Sequence, residues 1–325
     1  MPVKAGVVVI GRNEGERLRK CFESLGASAA RVVYVDSGST DGSIEMARAA
    51  GVEVVELDLR TPFTAARARN AGFHRLRESG ADVRYVQFVD GDCELAAGWL
   101  EQAAAFLDGR GEAAVVCGRL REKHPERSIY NLLCDIEWDA PAGEAKACGG
   151  IAMMRAAAFD GVQGFRAGMI AGEEPELCVR LRAAGWRIWR LDAEMARHDA
   201  AMMHFRQWWV RSLRSGYSYA LGADLHGAPP ERHRVRERRS AWFWGLGVPA
   251  AAGALALAWG PWALLLLLAY PLQLARLAMR GGRASRENWW RAAFLVLGKF
   301  PEMLGQVKFL THRYLGGRAR LIEHK

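Results

Sequence analysis

The sequence predicts an α/β chain: a mostly parallel sheet flanked by helices, followed by a C-terminal transmembrane hairpin and a basic amphipathic region. Three observations predict it. Short β-branched runs alternate with helical stretches over the first 200 or so residues, Asp90-Gly91-Asp92 closes one of those runs, and no residue from Ala241 to Ala275 is charged.

Val7–Ile10 reads as the first strand and is too short for the apolar core of a signal peptide. Gly11-Arg12-Asn13-Glu14-Gly15-Glu16 follows, opening a helical stretch over Glu14–Leu25. Val32–Val35 is the second strand, ended by Asp36 and turned by Ser37-Gly38-Ser39-Thr40. Asp41 is placed to cap a helix over Ser43–Ala50. Further strands fall at Val52–Leu57, Val83–Val89 and Val115–Cys117. Strands alternating with helices indicate crossover connections and a largely parallel sheet.

Open sheets of this kind bind ligands at the carboxyl ends of their strands. Asp36 and Asp90-Gly91-Asp92 stand at two such ends. Asp36 suits ribose hydroxyls or base N–H groups. The paired carboxylates repel each other unless a cation lies beside them, and a hard divalent ion completed by substrate phosphates meets that need. Turn chemistry alone also accounts for an Asp-Gly-Asp triplet. There is no G-x-G-x-x-G after the first strand, which disfavours a dinucleotide-dependent dehydrogenase, and no tandem repeat is visible.

The 325 residues allow one large or two ordinary domains. The six cysteines form no C-x-x-C pair or Cys/His cluster along the chain, so buried free thiols are expected and a zinc site is not. The net charge of +9 is uneven: residues 231–325 hold 16 Lys+Arg against 5 Asp+Glu, leaving 29 against 31 before them. A near-neutral body with a basic tail argues against a nucleic-acid partner and for an anionic surface met by the tail.

A membrane is that surface. The 35 uncharged residues from Ala241 to Ala275 are too many for one upright span of ~20 residues and somewhat few for two. Trp259-Gly260-Pro261-Trp262 divides them with a turn between two interface-favouring aromatics. Arg232 to Arg239 precede the stretch, and Arg276, Arg280, Arg283 and Arg286 follow it. Positive flanks on both sides call for a hairpin over 241–279 with both ends cytoplasmic; two buried soluble helices are the alternative. Trp289–Leu310, interrupted by Arg291, Lys299, Glu302 and Lys308, reads as an interfacial amphipathic helix kinked at Pro301, with its crossing of the membrane left open. Met202–Tyr219 is helical in pattern and suits either a bilayer surface or a core-packing role. The expected organisation is a domain over 1–200, a basic interfacial linker over 201–240, the hairpin over 241–279, and a basic amphipathic region over 280–325.

The order of motifs resembles family 2 glycosyltransferases of the GT-A fold over roughly residues 3–200. It runs from Arg12-Asn13-Glu14 through Val35-Asp36-Ser37-Gly38-Ser39-Thr40-Asp41-Gly42-Ser43, Ala68-Arg69-Asn70-Ala71-Gly72 and Asp90-Gly91-Asp92. Cys148-Gly149-Gly150, Gly164-Phe165 and Gly172-Glu173-Glu174-Pro175-Glu176-Leu177-Cys178-Val179-Arg180 complete it. The resemblance implies inverting transfer from a nucleotide-sugar donor, UDP-linked at family level, with Mg²⁺ or Mn²⁺ as cofactor. It places Asp36 at the nucleoside with Arg12 and Glu14 nearby, and Arg67, Arg69 and Asn70 near the donor, where a guanidinium fork suits diphosphate. Asp92 would bind the metal, Asp90 the ribose or a metal-bound water, and His198 would be a further metal ligand.

Glu174 matches the family's base, which takes the proton of the acceptor hydroxyl. Glu173 and Glu174 also suit the first turn of a helix, and spacing does not fix which points inward. Ser37 and Glu174 each replace the family's usual Asp, and Gln207-Trp208-Trp209-Val210-Arg211 lacks the spacing of the processive motif. The expected acceptor is a hydroxyl of a lipid-linked glycan or glycolipid at the cytosolic face of the cell inner membrane. A polyprenyl-phosphate acceptor is the alternative chemistry, and a catalytically silent membrane partner the alternative class. Oligomeric state is not legible.

Overall fold

The computed structural model describes residues 5–26, 31–78, 80, 82–282 and 285–316. Two compact units divide the chain, one of 1–124 and 137–200, the other of 125–136 and 201–325. Arg283 and the tail from residue 317 lie outside the described residues.

The first unit is α/β. In chain order it contains β1 (Ala5–Gly11), α1 (Glu16–Leu25), β2 (Arg31–Asp36), α2 (Ser43–Ala49), β3 (Glu53–Glu56), α3 (Ala65–Glu78), β4 (Tyr85–Asp90), β5 (Cys93–Leu95), α4 (Trp99–Gly109) and β6 (Ala113–Glu122). After α5 (Ile129–Trp138), which begins in the other unit, come β7 (Gly143–Glu144), β8 (Ala152–Arg155), α6 (Ala156–Gly161), α7 (Glu173–Ala183) and β9 (Arg187–His198).

The strands form one sheet in the order β3-β2-β1-β4-β8-β6-β9-β5, with β7 against β9. It is parallel from β3 to β4 and mixed beyond, where β8 runs antiparallel to both β4 and β6. The antiparallel β5 and β8 are three and four residues long, too short to leave a periodic signature in sequence. Val7, Val8 and Val9 are all fully buried, as expected of a parallel strand covered on both faces.

The strand order reverses at β1, which has β2 on one side and β4 on the other. Register levels their ends: Gly11 pairs with Asp36, and Ile10 with Asp90. The sheet therefore delivers its acidic residues to a topological switch point, the crevice where such sheets bind ligands. Gly72 brings α3 onto that part of the sheet, since a Cβ there would lie 2.4 Å from Val8 Cγ1 and 2.9 Å from Val35 Cγ2. Any larger residue would lift α3, and with it Arg69, off the strands.

The second unit is helical. α8 (Phe205–His226) is followed by helices Val235–Trp259, Pro261–Met279, Ser285–Leu297 and Lys299–Leu315. At the start of α8 Gln207 Oε1 accepts the Met203 and His204 amides at 2.8 and 2.9 Å. It packs on Lys299–Leu315 with backbones in contact: a Cβ on Gly216 would lie 1.9 Å from the Glu302 carbonyl oxygen, and one on Gly305 2.0 Å from that of Leu213. Trp208 and Tyr217 meet Phe294 and Phe309 edge-on, so this face of α8 has the core-packing role, while Phe205 stays exposed. The segment after Trp289 is helical on both sides of Gly298, which keeps helical dihedrals, donates to the Phe294 carbonyl and accepts from the Glu302 amide; the ladder is interrupted there because Pro301 has no N–H for the Leu297 carbonyl.

Val235–Trp259 and Pro261–Met279 have 25 and 19 residues, each with mean hydropathy 1.5, and are long and apolar enough to cross a membrane. Their apolar windows are only 17% and 6% buried. The turn between them is Gly260, at φ +102°, and the Tyr270 hydroxyl donates to the Trp244 carbonyl across the pair. Leu257, Trp259 and Trp262 are 93%, 80% and 80% exposed, a surface that packing among the described residues does not cover.

Candidate active site

The carboxylates at the switch point differ in how far the protein has already used them. Asp36 is 1% exposed and accepts four hydrogen bonds from its own turn: the Tyr34 hydroxyl at 2.8 Å, the Gly38 and Ser39 amides at 2.7 Å each, and the Ser39 hydroxyl. It shapes the loop after β2 rather than standing open to solvent. Asn13, at φ +55°, joins that loop to the one after β1. Its Oδ1 accepts the Thr40 amide at 2.8 Å, and its own amide donates to Ser39 Oγ at 2.9 Å. Asp41 accepts the Ser43 amide and hydroxyl from one residue before the N-cap, which is Gly42 and not Asp41. Glu14 is buried against Arg17, and the exposed Arg12 lies with its guanidinium 4.8 Å from the centroid of Phe63.

Arg69 joins two other carboxylates. Thr64 Oγ1 accepts the Arg67 amide at 3.0 Å and so caps α3, whose close seat on the sheet buries Arg69 to 3% exposure. Nη2 donates to Asp90 Oδ1 and Nη1 to Glu173 Oε1, both at 2.7 Å. A Cβ on Gly150 would stand 2.5 Å from Nη2, so the Cys148-Gly149-Gly150 turn leaves room for the guanidinium. Desolvation opposes the charge on Arg69, and Asp90 and Glu173 outweigh it. The resemblance expects an open fork for diphosphate here. The structure instead has both terminal nitrogens committed, tying the end of β4 to the start of α7.

Arg67 and Asn70 are also engaged. Arg67 Nη1 and Nη2 donate to the carbonyls of Thr61 and Asp58 at 2.7 and 2.6 Å, holding the loop before α3. Asn70 clamps Phe165 by giving Nδ2–H to its carbonyl at 2.7 Å and accepting its amide at 2.9 Å.

Asp92, 5% exposed, lies beside His198, with Oδ2 and Nε2 3.2 Å apart. The antiparallel pairing of β5 with β9 sets Cys93 opposite His198 and so brings together residues far apart in sequence. The Asp199 amide donates to the Asp92 carbonyl at 3.1 Å. Buried Glu122 accepts the Ala200 and His124 amides, fixing the chain just past His198, and Trp138 stacks on the imidazole at 4.7 Å and 10°. Asp92, Cys93 and His198 offer donor atoms within 4.8 Å of one another.

That donor set fits a divalent ion. Two ligands in neighbouring positions of an octahedral ion with bonds of ~2.1 Å stand about 3.0 Å apart, close to the separation found. The Cys93 thiol donates toward Asp92 Oδ1 at 3.6 Å; sulfur is a soft donor and Mg²⁺ or Mn²⁺ is a hard ion, so the oxygen and nitrogen donors are the ones that suit. The sequence shows no Cys/His cluster because only strand pairing creates this one.

α7 resolves which glutamate points where. Glu173 turns to Arg69, in the cluster with Asp90. Glu174 is 2% exposed; its Oε1 accepts the Cys148 amide at 2.7 Å and the Cys178 thiol at 2.9 Å, while Oε2 meets no donor from the protein. Burial pushes its carboxyl above the ordinary value of 4.5, and the hydrogen bonds offset this only in part. Glu176, fully buried, pairs with Arg180 and Arg166, and Arg180 donates to the carbonyls of Val162 and Gly164. This network fixes the turn that Asn70 clamps from the other side. Among these residues Trp138, Glu122, Cys148 and Cys178 lie outside the sequence expectation. Trp138 and Glu122 carry no motif, whereas the cysteines sit inside motifs read for other residues.

A mixed α/β sheet with acidic strand ends at its switch point and a glutamate-led helix beside them has the architecture of a GT-A glycosyltransferase domain. Residues 6–159 match the family described as Glycosyl transferase family 2. Glycosyltransferase AglE of Haloferax volcanii is 31% identical over 113 residues, covering 32% of this chain and 36% of that relative's own length. Mannosyltransferase PcManGT of Pyrobaculum calidifontis, solved with GDP-Man and Mn²⁺, superposes with TM-score 0.61 at 18% identity over 94% of this chain and 87% of that one. S. aureus TarS 1-349 superposes with TM-score 0.54 at 16% identity over 96% and 92%. At these identities the likeness to the solved structures is one of fold.

Proposed function

We propose that the chain is a metal-dependent inverting glycosyltransferase, moving a sugar from a nucleotide-sugar donor to a hydroxyl of a lipid-linked glycan or glycolipid at a membrane. One observation carries the reading. Asp90 and Asp92 stand at the switch-point end of β4, and Arg69 links Asp90 to Glu173 at the start of α7, where the next residue, Glu174, has a buried carboxylate oxygen, Oε2, with no hydrogen-bond partner in the protein.

In this reading Glu174 Oε2 takes the proton of the acceptor hydroxyl while that oxygen bonds to the anomeric carbon. The bond from the anomeric carbon to the nucleoside diphosphate breaks on the opposite face, and the proton ends on Glu174. Glu174 is the better base of the pair, because Glu173 is held in an ion pair with Arg69. A hydroxyl acceptor gives such a base a purpose, whereas an ionised phosphate acceptor needs none. Arg69 serves as the link that sets Asp90 against α7. Asp92 and His198 would hold Mg²⁺ or Mn²⁺, which supplies charge neutralisation for the departing diphosphate. The loops shaped by Asp36 and Asn13, with Arg12 and Glu14, form the nucleoside side of the crevice. Arg67 and Asn70 support it from behind.

The neighbour solved with GDP-Man supports a nucleotide-sugar donor and puts GDP beside UDP as the nucleotide to test. The apolar hairpin supports membrane anchoring, with its Arg-rich flanks Arg236 to Arg239, Arg276 and Arg280 on the cytoplasmic side of the inner membrane. The test is turnover of UDP- and GDP-sugars with membrane-lipid extract as acceptor source. Sugar transfer lost in Glu174→Gln, with nucleotide binding kept, supports the reading. Transfer by Glu174→Gln at the wild-type rate removes Glu174 as base, and failure of every donor leaves the silent membrane partner.

A further inference from the structure

Two buried cysteines contact the carboxylate read as the base, and the mechanism above gives neither a part. Cys178 lies one helical turn beyond Glu174 on α7, with its Sγ 2.9 Å from Glu174 Oε1, and the two side chains are 0% and 2% exposed. The Cys148 amide reaches the same oxygen at 2.7 Å. Oε1 is thus held from two sides, while Oε2 meets no donor from the protein.

The thiol can act only as a donor in this setting. Burial, and then the charge of Glu174, raise Cys178 well above its ordinary value, so it keeps its proton across the working range of the protein. The groups facing the Glu174 carboxylate are Cys178 and Glu173 from α7, and the Cys148 and Gly149 amides from the turn before β8. Cys117 of β6 stands behind them against Cys148. Of these, only Cys178 brings a side-chain hydrogen bond to the carboxylate.

We propose that Cys178 is a positioning residue for the base: its thiol, with the Cys148 amide, fixes Glu174 Oε1 and thereby leaves Oε2 as the oxygen that takes the acceptor's proton. The proposal rests on the reading of Glu174 as the base. Removing the donor has two consequences. The carboxylate loses a hydrogen bond that favours its charged form, so it holds a proton to higher pH. It also gains freedom to rotate, so Oε2 is less often aimed correctly.

The test uses the full chain in detergent and compares Cys178→Ala, Cys178→Ser and Glu174→Gln. Infrared titration of the protonated carboxyl band, assigned by its loss in Glu174→Gln, gives the protonation midpoint directly. Release of nucleoside diphosphate from bound UDP- or GDP-sugar, with water as acceptor, gives the pH–rate profile. Calorimetric binding of the nucleoside diphosphate checks that each variant is folded; if Cys178→Ala is not, Cys178→Val replaces it, leaving no cavity and equally without a donor. The expected result for Cys178→Ala is a midpoint and an acid limb about 0.5–1 pH unit higher, a kcat several-fold lower, and an unchanged donor KM. Cys178→Ser should restore both. An unmoved midpoint and profile in Cys178→Ala, with Glu174→Gln inactive, overturns the positioning role and leaves the base standing. An active Glu174→Gln overturns the base, and the proposal with it.

Discussion

Glu174 trades solvent for position, and its protonation carries a stability consequence of definite sign. Its folded pKa lies above the ordinary 4.5, so the proton is bound more tightly in the folded chain. The stability this gives is complete below the unfolded value and is lost as pH rises through the folded one. Above that folded value the ionised carboxylate opposes folding. Glu174→Gln is expected to melt at the wild-type temperature or higher at pH 7, while its turnover falls by about 10²–10⁴-fold. Melting curves run beside rate assays check this, and a large loss of melting temperature would mark Glu174 as structural. Arg69 behaves in the opposite way. Arg69→Ala leaves Glu173 and Asp90 without the guanidinium between them, and breaking a buried pair typically costs about 3–5 kcal/mol, measurable by urea unfolding. At this scale the sequence is legible where a residue acts through its own motif. Asp90 ends β4 with Asp92 just beyond it, as the strand run and its closing triplet imply, and Glu174 lies in the first turn of α7. Arg67, Arg69 and Asn70 lie in the expected place with other partners, because a donor-rich side chain reads the same whether it meets phosphate, a carboxylate or a backbone carbonyl.

Among the elements, glycines at close contacts set the geometry. Gly72 lets α3 lie on β1 and β2, so Gly72→Ala is expected to cost about 1–3 kcal/mol through overpacking and to weaken nucleotide binding by shifting Arg69. Denaturant unfolding and calorimetry on one preparation read both effects, and unchanged values would contradict the tight seat. The five strands read from sequence are those with runs of β-branched residues. β5, β7 and β8 escape because two to four residues cannot show a period, and the twelve-residue β9 escapes because charged residues interrupt it and it has only one β-branched side chain, yet β5 and β9 are the strands that set Cys93 opposite His198. The interruption at Gly298 is the one Pro301 announces in sequence, since a proline removes the hydrogen bond to the carbonyl four residues earlier.

For the molecule as a whole, an α/β unit with an acidic crevice shares its chain with a helical unit whose hairpin is almost all apolar surface. Arginine at Leu264 and Leu267 together is expected to release the chain from membranes washed with alkaline carbonate, since each arginine costs ~2.5–3.5 kcal/mol near the centre of a spanning helix. Full retention of that double variant would argue that other surfaces hold the membrane. Charge asymmetry and an uncharged stretch are global features, and for that reason they are the most readable part of the sequence. The pairing of Asp92 with His198 is the least readable, because it exists only once β9 closes on β5.

Asp92, just past β4, and His198, at the end of β9, are the proposed ligands of a metal-assisted nucleotide site. The most direct measurement is calorimetric titration of UDP and GDP into the detergent-purified chain, with and without Mn²⁺, alongside Asp92→Asn and His198→Ala. One nucleotide should bind with an affinity that rises when Mn²⁺ is present and falls to the metal-free level in both variants. Equal binding with and without Mn²⁺, or variants that keep the metal effect in full, would contradict that assignment.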